Sequence, residues 1–576
     1  MRRVINWRSA IRTLSLLGAL ALISYGVFQP VDQEVVWLRC IWGAAPLLGI
    51  AIWLSQPDMP RSIARSVFNL GLVIACGFGL LSLQLLRQQF VMADAIYSFV
   101  GVDDEGNTIS NIRPVLASQR ILRGEIRDAR GVVLVASEAV NAFARRTYPL
   151  AARYDPAAFG NIVGFVSNRF GQSGLEATYS DYLSGARGSP LKHLREDLLG
   201  IQRRGANLDL TLNADLQARV SALLAGRTGS IVIIDPRTGA VNAMASAPGF
   251  DPSQLAFDPG AADYGAENER IDQYWRQLNS DAAGQPLLNR PTQGQYPPGS
   301  TYKAVTAIEA LEQAGIGQPD SITCPEQYVP DPNAPPVINS VPGLASLTGD
   351  PATLERVFAY SCNTAFAQYA SRLGSGLMIE GARRFDIHTP QEAERGAALF
   401  RDLPTIVSRL YVDAGFLNQP RALADTGYGQ GQLLVTPLQM ALVAASIAND
   451  GILMQPFLVQ RVSNPDGQVL FETQPQQLRR TMSSATAATM RNHMRSVAEY
   501  GFGAVVSDFL PGITVGGKSG TAQHVEGATP HAWFIAIAPL ENPRYAVAVM
   551  VESGGEGSSV GGTLAGQALQ AAFETE

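Results

Sequence analysis

Hydrophobic and polar positions divide the chain into three regimes. Three nearly uninterrupted apolar stretches, at about 11–27, 35–54 and 67–86, each approach the length that crosses a bilayer and predict three transmembrane helices. From about 87 to 227, short β-like runs such as 131–135 alternate with polar turns and no long helical period is visible, which predicts an elongated, β-rich module. The pattern changes again at Gly229. An apolar run at 230–234, the turn Asp235-Pro236-Arg237-Thr238-Gly239 and a second run at 240–246 predict a hairpin. Two further strand-like runs, 532–538 and 545–551, flank a turn containing Asn542-Pro543. The intervening chain is helix-rich. One helix follows Pro297-Pro298-Gly299 with Val305, Ile308 and Leu311 on one face, others cover 364–373 and 484–500, and another has Thr436 as cap and Pro437 in its first turn. The polar stretch 251–289 reads as a loop-rich insertion. Strands at both ends of this last region, bracketing helices, predict one sheet built from both ends of a domain with helices packed on it.

Charge orients the apolar stretches. Arg2, Arg3, Arg8 and Arg12 precede or open the first, Arg61 and Arg65 separate the second from the third, and the first connection carries Asp32 and Glu34. Basic residues collect on the cytoplasmic side of membranes, so the N-terminus is expected in the cytoplasm and everything after about Arg87 outside it. A cleaved signal peptide also has a basic start, but two more spans follow and its removal inverts the charge rule. A net charge of −6 makes nucleic acid a poor partner. Cys40 and Cys76 fall within the spans, whereas Cys324 and Cys362 lie outside, where disulfides persist; their spacing leaves the pairing open. The five histidines show no metal-ligand spacing, and no metal or cofactor is expected. Of the 44 basic residues only three are lysines, Lys192, Lys303 and Lys518. Lysine, unlike arginine, can give up its proton near neutral pH, which makes these three candidates for chemistry.

Lys303 follows Ser300 by three positions at the start of a predicted helix, placing a hydroxyl and an amine on one face. The helix N-terminus adds backbone donors that favour a developing oxyanion and a neutral amine. Such a pair occurs often by chance. Lys518, however, is followed by Ser519, Gly520 and Thr521, a set able to grip a carboxylate, and Ser361-Cys362-Asn363 lies between the two segments. The order Ser-x-x-Lys, Ser-x-Asn, Lys-Ser-Gly, with two of three lysines in the right elements, is far more specific than any member of it.

In these motifs the chain resembles the class B penicillin-binding proteins. The resemblance runs through Asn289-Arg290, Tyr296-Pro297-Pro298-Gly299-Ser300-Thr301-Tyr302-Lys303, Ser361-Cys362-Asn363 and Gly516-Gly517-Lys518-Ser519-Gly520-Thr521-Ala522-Gln523, and extends to His531-Ala532-Trp533-Phe534. Arg123-Gly124-Glu125-Ile126, Gly174-Leu175-Glu176 and Leu183-Ser184-Gly185 resemble the family's pedestal domain, and 81–90 the end of its single anchor helix. The first two spans depart from that single-anchor plan. The resemblance implies an α+β fold, an antiparallel sheet with helices on both sides, preceded by an extended β-rich pedestal and N-terminal transmembrane helices. The expected divisions are 1–88 for the spans, 89–227 for the pedestal and 228–576 for the transpeptidase domain.

It also implies a peptidoglycan D,D-transpeptidase of the bacterial cell membrane, multi-pass with its catalytic domain outside, working on stem peptides and acylated by β-lactams. Ser300 would be the nucleophile and Lys303 the acylation base, with Ser361 and Lys518 relaying a proton to the leaving amine. Asn363 would bind the substrate amide, and Ser519, Gly520 and Thr521 with Lys518 the terminal carboxylate; the N–H groups of Ser300 and Thr521 would form the oxyanion hole. The implied membrane partner is a polytopic glycosyltransferase of the shape, elongation, division and sporulation family. No Glu-Asp-x-x-Phe run marks the chain as a glycan polymerase itself. The same resemblance fits a non-catalytic β-lactam or peptidoglycan receptor, though no cytoplasmic segment is long enough for a signalling domain. A carboxypeptidase differs only in the acceptor, and a β-lactamase needs a water-activating group that no motif locates. Gly512 through Ser519 also fits the P-loop pattern G-x-x-x-x-G-K-[ST], but Gly520, Gly527 and Pro530 leave no helix to receive phosphates.

Overall fold

The computed structural model describes residues 7–27, 34–55, 63–92, 100–102, 108–110, 118–187, 196, 199, 201–317, 322–396, 399–525 and 527–576. Arg2, Arg3, Asp32, Arg61 and Lys192 lie outside the described residues. The chain forms two units, Met1–Ser118 and Gln119–Glu576.

In the first unit, α1 (Trp7–Val27), α2 (Glu34–Ser55) and α3 (Ile63–Leu86) are each long and apolar enough to cross a membrane. α1 and α2 pack closely where Gly26 lets Trp37 approach: a Cβ at Gly26 would lie 2.6 Å from the indole. Trp37 Nε1 donates to Gln84 Oε1 at 2.7 Å, which supplies the partner a buried indole needs.

The second unit is built on two large sheets, with several two-stranded pairs beside them. Strands β1 (Ile126–Arg127), β2 (Val133–Val140), β3 (Phe143–Thr147) and β4 (Asn207–Leu210) belong to the first, and the helix α4 (Ala214–Leu223) follows. Then come β5 (Gly229–Ile234), β6 (Val241–Ala247), α5 (Tyr264–Leu278), α6 (Lys303–Glu312), α7 (Asn363–Arg384) and α8 (Pro437–Ala448). Farther along come β7 (Val459–Ser463), β8 (Val469–Glu472), α9 (Ser484–Glu499), β9 (Gly516–Ala522), β10 (His531–Ala538), β11 (Tyr545–Val551) and α10 (Gly562–Glu574).

The main sheet has the order β6-β5-β11-β10-β9, antiparallel throughout, so both ends of the domain meet at the β5–β11 pair. Strands β5, β10 and β11 are buried along their whole length. They read as apolar runs because helices cover both faces. One apolar cluster packs Val232, Ile535 and Ala548 against α6, α7, α8 and α9, and a second packs Ile233, Phe534 and Val547 against α4 and α10. This is the expected α+β architecture.

Two expectations require correction. The stretch 251–289 is not loop-rich: it holds the 15-residue α5, capped by Asp263, whose side chain accepts from Gly265 and Ala266 N–H. Its apolar face is narrow, Ile271, Tyr274, Trp275 and Leu278 at helical spacing, packed on Phe165, Phe250 and Leu255. The preceding module carries the ten-residue α4, capped by Asn213, where no long helical period was expected. Its sheet draws on two stretches of chain. The order is β8-β7-β4-β1-β2-β3, with the β7–β8 hairpin arriving from far downstream to pair with β4. Glu176, wholly buried on a short helix, meets Arg146 of β3 at 2.6 Å and Arg123 at 2.7 Å. The two guanidiniums hold its carboxyl below the usual carboxylate range against the desolvation that opposes them.

Candidate active site

The segment leading to Ser300 is anchored before the nucleophile candidate is reached. Arg290 and the Tyr296 hydroxyl both bond Glu552 Oε1 at 2.7 Å, at the end of β11, and Tyr296 packs edge-on against His531 of β10. Gly299 then takes φ +54°, and a Cβ there would lie 2.7 Å from the Thr521 carbonyl, so glycine alone fits against β9. Residues Gly299–Tyr302 form a 3₁₀ turn and the α-helix proper starts at Lys303. The expected first helical turn is therefore the tighter form, in which side chains three apart eclipse, setting Ser300 above Lys303. Ser300 is half-buried and, among the described residues, its hydroxyl makes no hydrogen bond.

Lys303 is wholly buried, with Nζ 2.7 Å from the Ser361 carbonyl, 2.7 Å from Asn363 Oδ1 and 3.2 Å from Ser361 Oγ. Lys518, equally buried on β9, places Nζ 2.9 Å from the same Ser361 Oγ and 3.0 Å from the Ser519 carbonyl. Ser361 thus bridges the two amines. Its position is strained: φ is +55°, the left-handed region that a serine seldom adopts, between the helix Leu354–Ala359 and α7. The N–H groups of Ser361 and Cys362 hold the turn by donating to the Phe358 and Val357 carbonyls.

No carboxylate bonds either lysine among the described residues. Burial lowers Lys518 to about 7. Burial, followed by the nearby charge of Lys518, pushes Lys303 well below the usual lysine range. The hydrogen bonds close for a neutral Lys303: two N–H groups serve the Ser361 carbonyl and Asn363 Oδ1, and a lone pair remains for a hydroxyl proton. The arrangement provides a base one turn from an unengaged serine and a second amine that donates through Ser361.

β9 is the edge strand of the sheet and faces the Ser300 turn. A Cβ on Gly520 would lie 2.9 Å from Thr301 Cγ2 and 3.0 Å from the Pro298 carbonyl. Ser519 is buried beside Lys518, and Thr521 Oγ1 accepts from Gly557 N–H at 3.2 Å. Lys518 sits on a strand, not at a helix start, which disposes of the P-loop pattern. Cys324 and Cys362 form a disulfide, the pairing that spacing left open. The sequence reading missed Glu552 and Asn339, which touches the Ser-x-Asn segment; neither lies in a motif. No group able to hold a metal appears among the described residues.

Residues 229–574 match the penicillin binding protein transpeptidase domain and 123–208 the penicillin binding protein A dimerisation domain. The chain belongs to the penicillin-binding protein transpeptidase family, in its class B, and is an acyl-transferring enzyme. It is 34% identical over 467 residues to the peptidoglycan D,D-transpeptidase PbpA of Mycolicibacterium smegmatis, covering 79% of this chain and 89% of that one. The peptidoglycan D,D-transpeptidase MrdA of Escherichia coli K12 is 27% identical over 487 residues, 75% of this chain and 71% of that one. Among solved structures, the ceftriaxone acyl-enzyme complex of penicillin-binding protein A from M. tuberculosis superposes with a TM-score of 0.69 at 29% identity, over 80% of this chain and all of that one.

Proposed function

We propose that the protein is a peptidoglycan D,D-transpeptidase that cross-links stem peptides through an acyl-enzyme on Ser300. The observation that carries this reading is the buried Lys303–Ser361–Lys518 hydrogen-bonded chain behind a half-exposed, unengaged serine. Ser300 Oγ attacks the carbonyl between the two terminal D-alanines, its proton passing to neutral Lys303. The Oγ–C ester forms and the C–N bond breaks as Lys518, through Ser361, protonates the departing D-alanine amine. An amine from a neighbouring stem then attacks the ester and frees the serine; water in its place gives the carboxypeptidase reaction. Ser300 and Thr521 N–H groups receive the oxyanion, an arrangement worth about 2.7 to 4 kcal/mol per donor. Asn363 orients the peptide amide, and Lys518, Ser519 and Thr521 hold the terminal carboxylate where Gly520 leaves room for the backbone to approach. β-Lactams acylate the same serine because they present the same amide beside a carboxylate.

The apolar helices α1 to α3 and the basic residues around them support this placement: residues 1–88 are read as three spans with the N-terminus in the cytoplasm, 89–227 as pedestal and 228–576 as catalytic domain outside. The membrane partner is read as a polytopic glycosyltransferase of the shape, elongation, division and sporulation family. Two mass-spectrometric measurements test the activity. With a synthetic stem pentapeptide and a D-amino acid acceptor, the protein releases D-alanine and forms the exchanged peptide, whereas Ser300→Ala does neither. A protein that binds the peptide and releases nothing is instead a receptor of this fold.

A further inference from the structure

α7 opens at the Ser-x-Asn segment, and its first N–H groups lack carbonyls within the helix. The N-cap residue, Cys362, is tied by a disulfide to Cys324, and its Sγ accepts from Ala365 N–H at 3.4 Å. A side chain from well upstream takes the two N–H groups before it. Asn339 Oδ1 accepts from the backbone N–H of Asn363 at 2.9 Å and of Thr364 at 3.1 Å, while its Nδ2 donates to the Pro325 carbonyl at 2.9 Å. The same two segments meet again where Asn363 Nδ2 donates to the Ile338 carbonyl at 3.1 Å and Thr364 Oγ1 to Pro325 at 2.7 Å. The disulfide ties Cys362 to this loop, but among the described residues only Asn339 accepts the Asn363 N–H.

The consequence lies on the other side of the same peptide units. Ser361 holds a left-handed conformation from which its Oγ reaches both lysines, and Asn363 Oδ1 reaches Lys303. Relaxation of that turn moves both contacts. We propose that Asn339 is a positioning residue for acyl transfer: by capping α7 from outside, it holds Ser361 and Asn363 at the register in which they address Lys303 and Lys518. The proposal rests on the reading of Ser300 as nucleophile.

The second-order rate constant for acylation by a fluorescent penicillin, measured across pH on the detergent-solubilised full chain, tests it with Asn339→Leu and Asn339→Asp. Leucine fills the space but accepts no hydrogen bond, and it slows acylation about ten- to thirtyfold, the range a lost cap interaction spans at its upper end. Aspartate retains both accepting contacts and returns the maximal rate to within about fivefold of the parent, while its charge near Lys303 moves the rising limb of the pH profile upward. A residue that serves stability alone lowers the melting temperature of both variants and leaves that limb in place. Parent-like acylation by folded Asn339→Leu, or an Asn339→Asp protein as slow as the leucine variant with an unshifted limb, overturns the proposal. Should the leucine variant not fold, the position of the aspartate limb decides. Failure of the parent protein to be acylated at all contradicts the assignment of Ser300 and is thereby distinguishable.

Discussion

Two buried lysines without an acidic partner set the chemistry at the residue scale. An ammonium taken out of water is costly unless a carboxylate pairs with it, and neither Lys303 nor Lys518 has one among the described residues. Each therefore favours its neutral form, Lys303 more strongly because Lys518 lies close by. The sign of the pH dependence follows. Protonation of Lys303 at low pH removes the lone pair that must accept the Ser300 proton, and loss of the Lys518 proton, at about 7, removes the donor to the leaving amine, so the acylation rate constant rises with pH as Lys303 is deprotonated and declines again as Lys518 is. Stopped-flow acylation from pH 5.5 to 9 reads this directly, and a profile flat across that interval contradicts it. The motif order Ser300, Lys303, Ser361, Asn363, Lys518 is legible along the chain because each motif is local. The bridging of two amines by one hydroxyl is not, since it depends on a left-handed Ser361 that no composition announces. Asn339 is silent for the same reason: a lone asparagine in a loop has no spacing to betray it.

At the scale of elements, the site is the seam between the Ser300 turn and β9. Gly520 permits that seam: any side chain there meets Thr301 Cγ2 and the Pro298 carbonyl at or within about 3 Å. Gly520→Ala is expected to push β9 from the turn, cutting acylation at least about tenfold and costing about 1 to 3 kcal/mol of stability, as over-packing does. Calorimetry with a penicillin-acylation time course checks both, and unchanged acylation contradicts the close approach. Elements with strong local signals were readable, β5 and β6 from their turn, β10 and β11 from their apolar runs, α8 from Thr436 and Pro437. α5 was not, because only four of its fifteen residues form the apolar stripe and the rest resemble a loop. The pairing of β7 with β4 was equally invisible, being set by packing between segments far apart in sequence.

At the scale of the whole molecule, the second unit joins a five-stranded catalytic sheet to a six-stranded one through shared chain: β7 and β8 leave the catalytic region, complete the six-stranded sheet, and return to α9. The buried Glu176 fixes that sheet by binding two arginines, Arg123 and Arg146, from separate segments. A truncation that ends before β7 therefore leaves one edge of β4 without its antiparallel partner, and the two parts are best studied together. The first unit holds three helices each long and apolar enough to cross a membrane, which agrees with an enzyme that works on the cell wall outside it under the proposed function. The central claim is that Ser300 carries the acyl group. Intact-mass and peptide-mapping spectrometry of the solubilised full chain after incubation with benzylpenicillin tests it most directly: the account predicts one added penicilloyl group, located on Ser300, lasting many minutes and missing from Ser300→Ala. A folded parent protein with no adduct, or an adduct on another residue that survives Ser300→Ala, contradicts it.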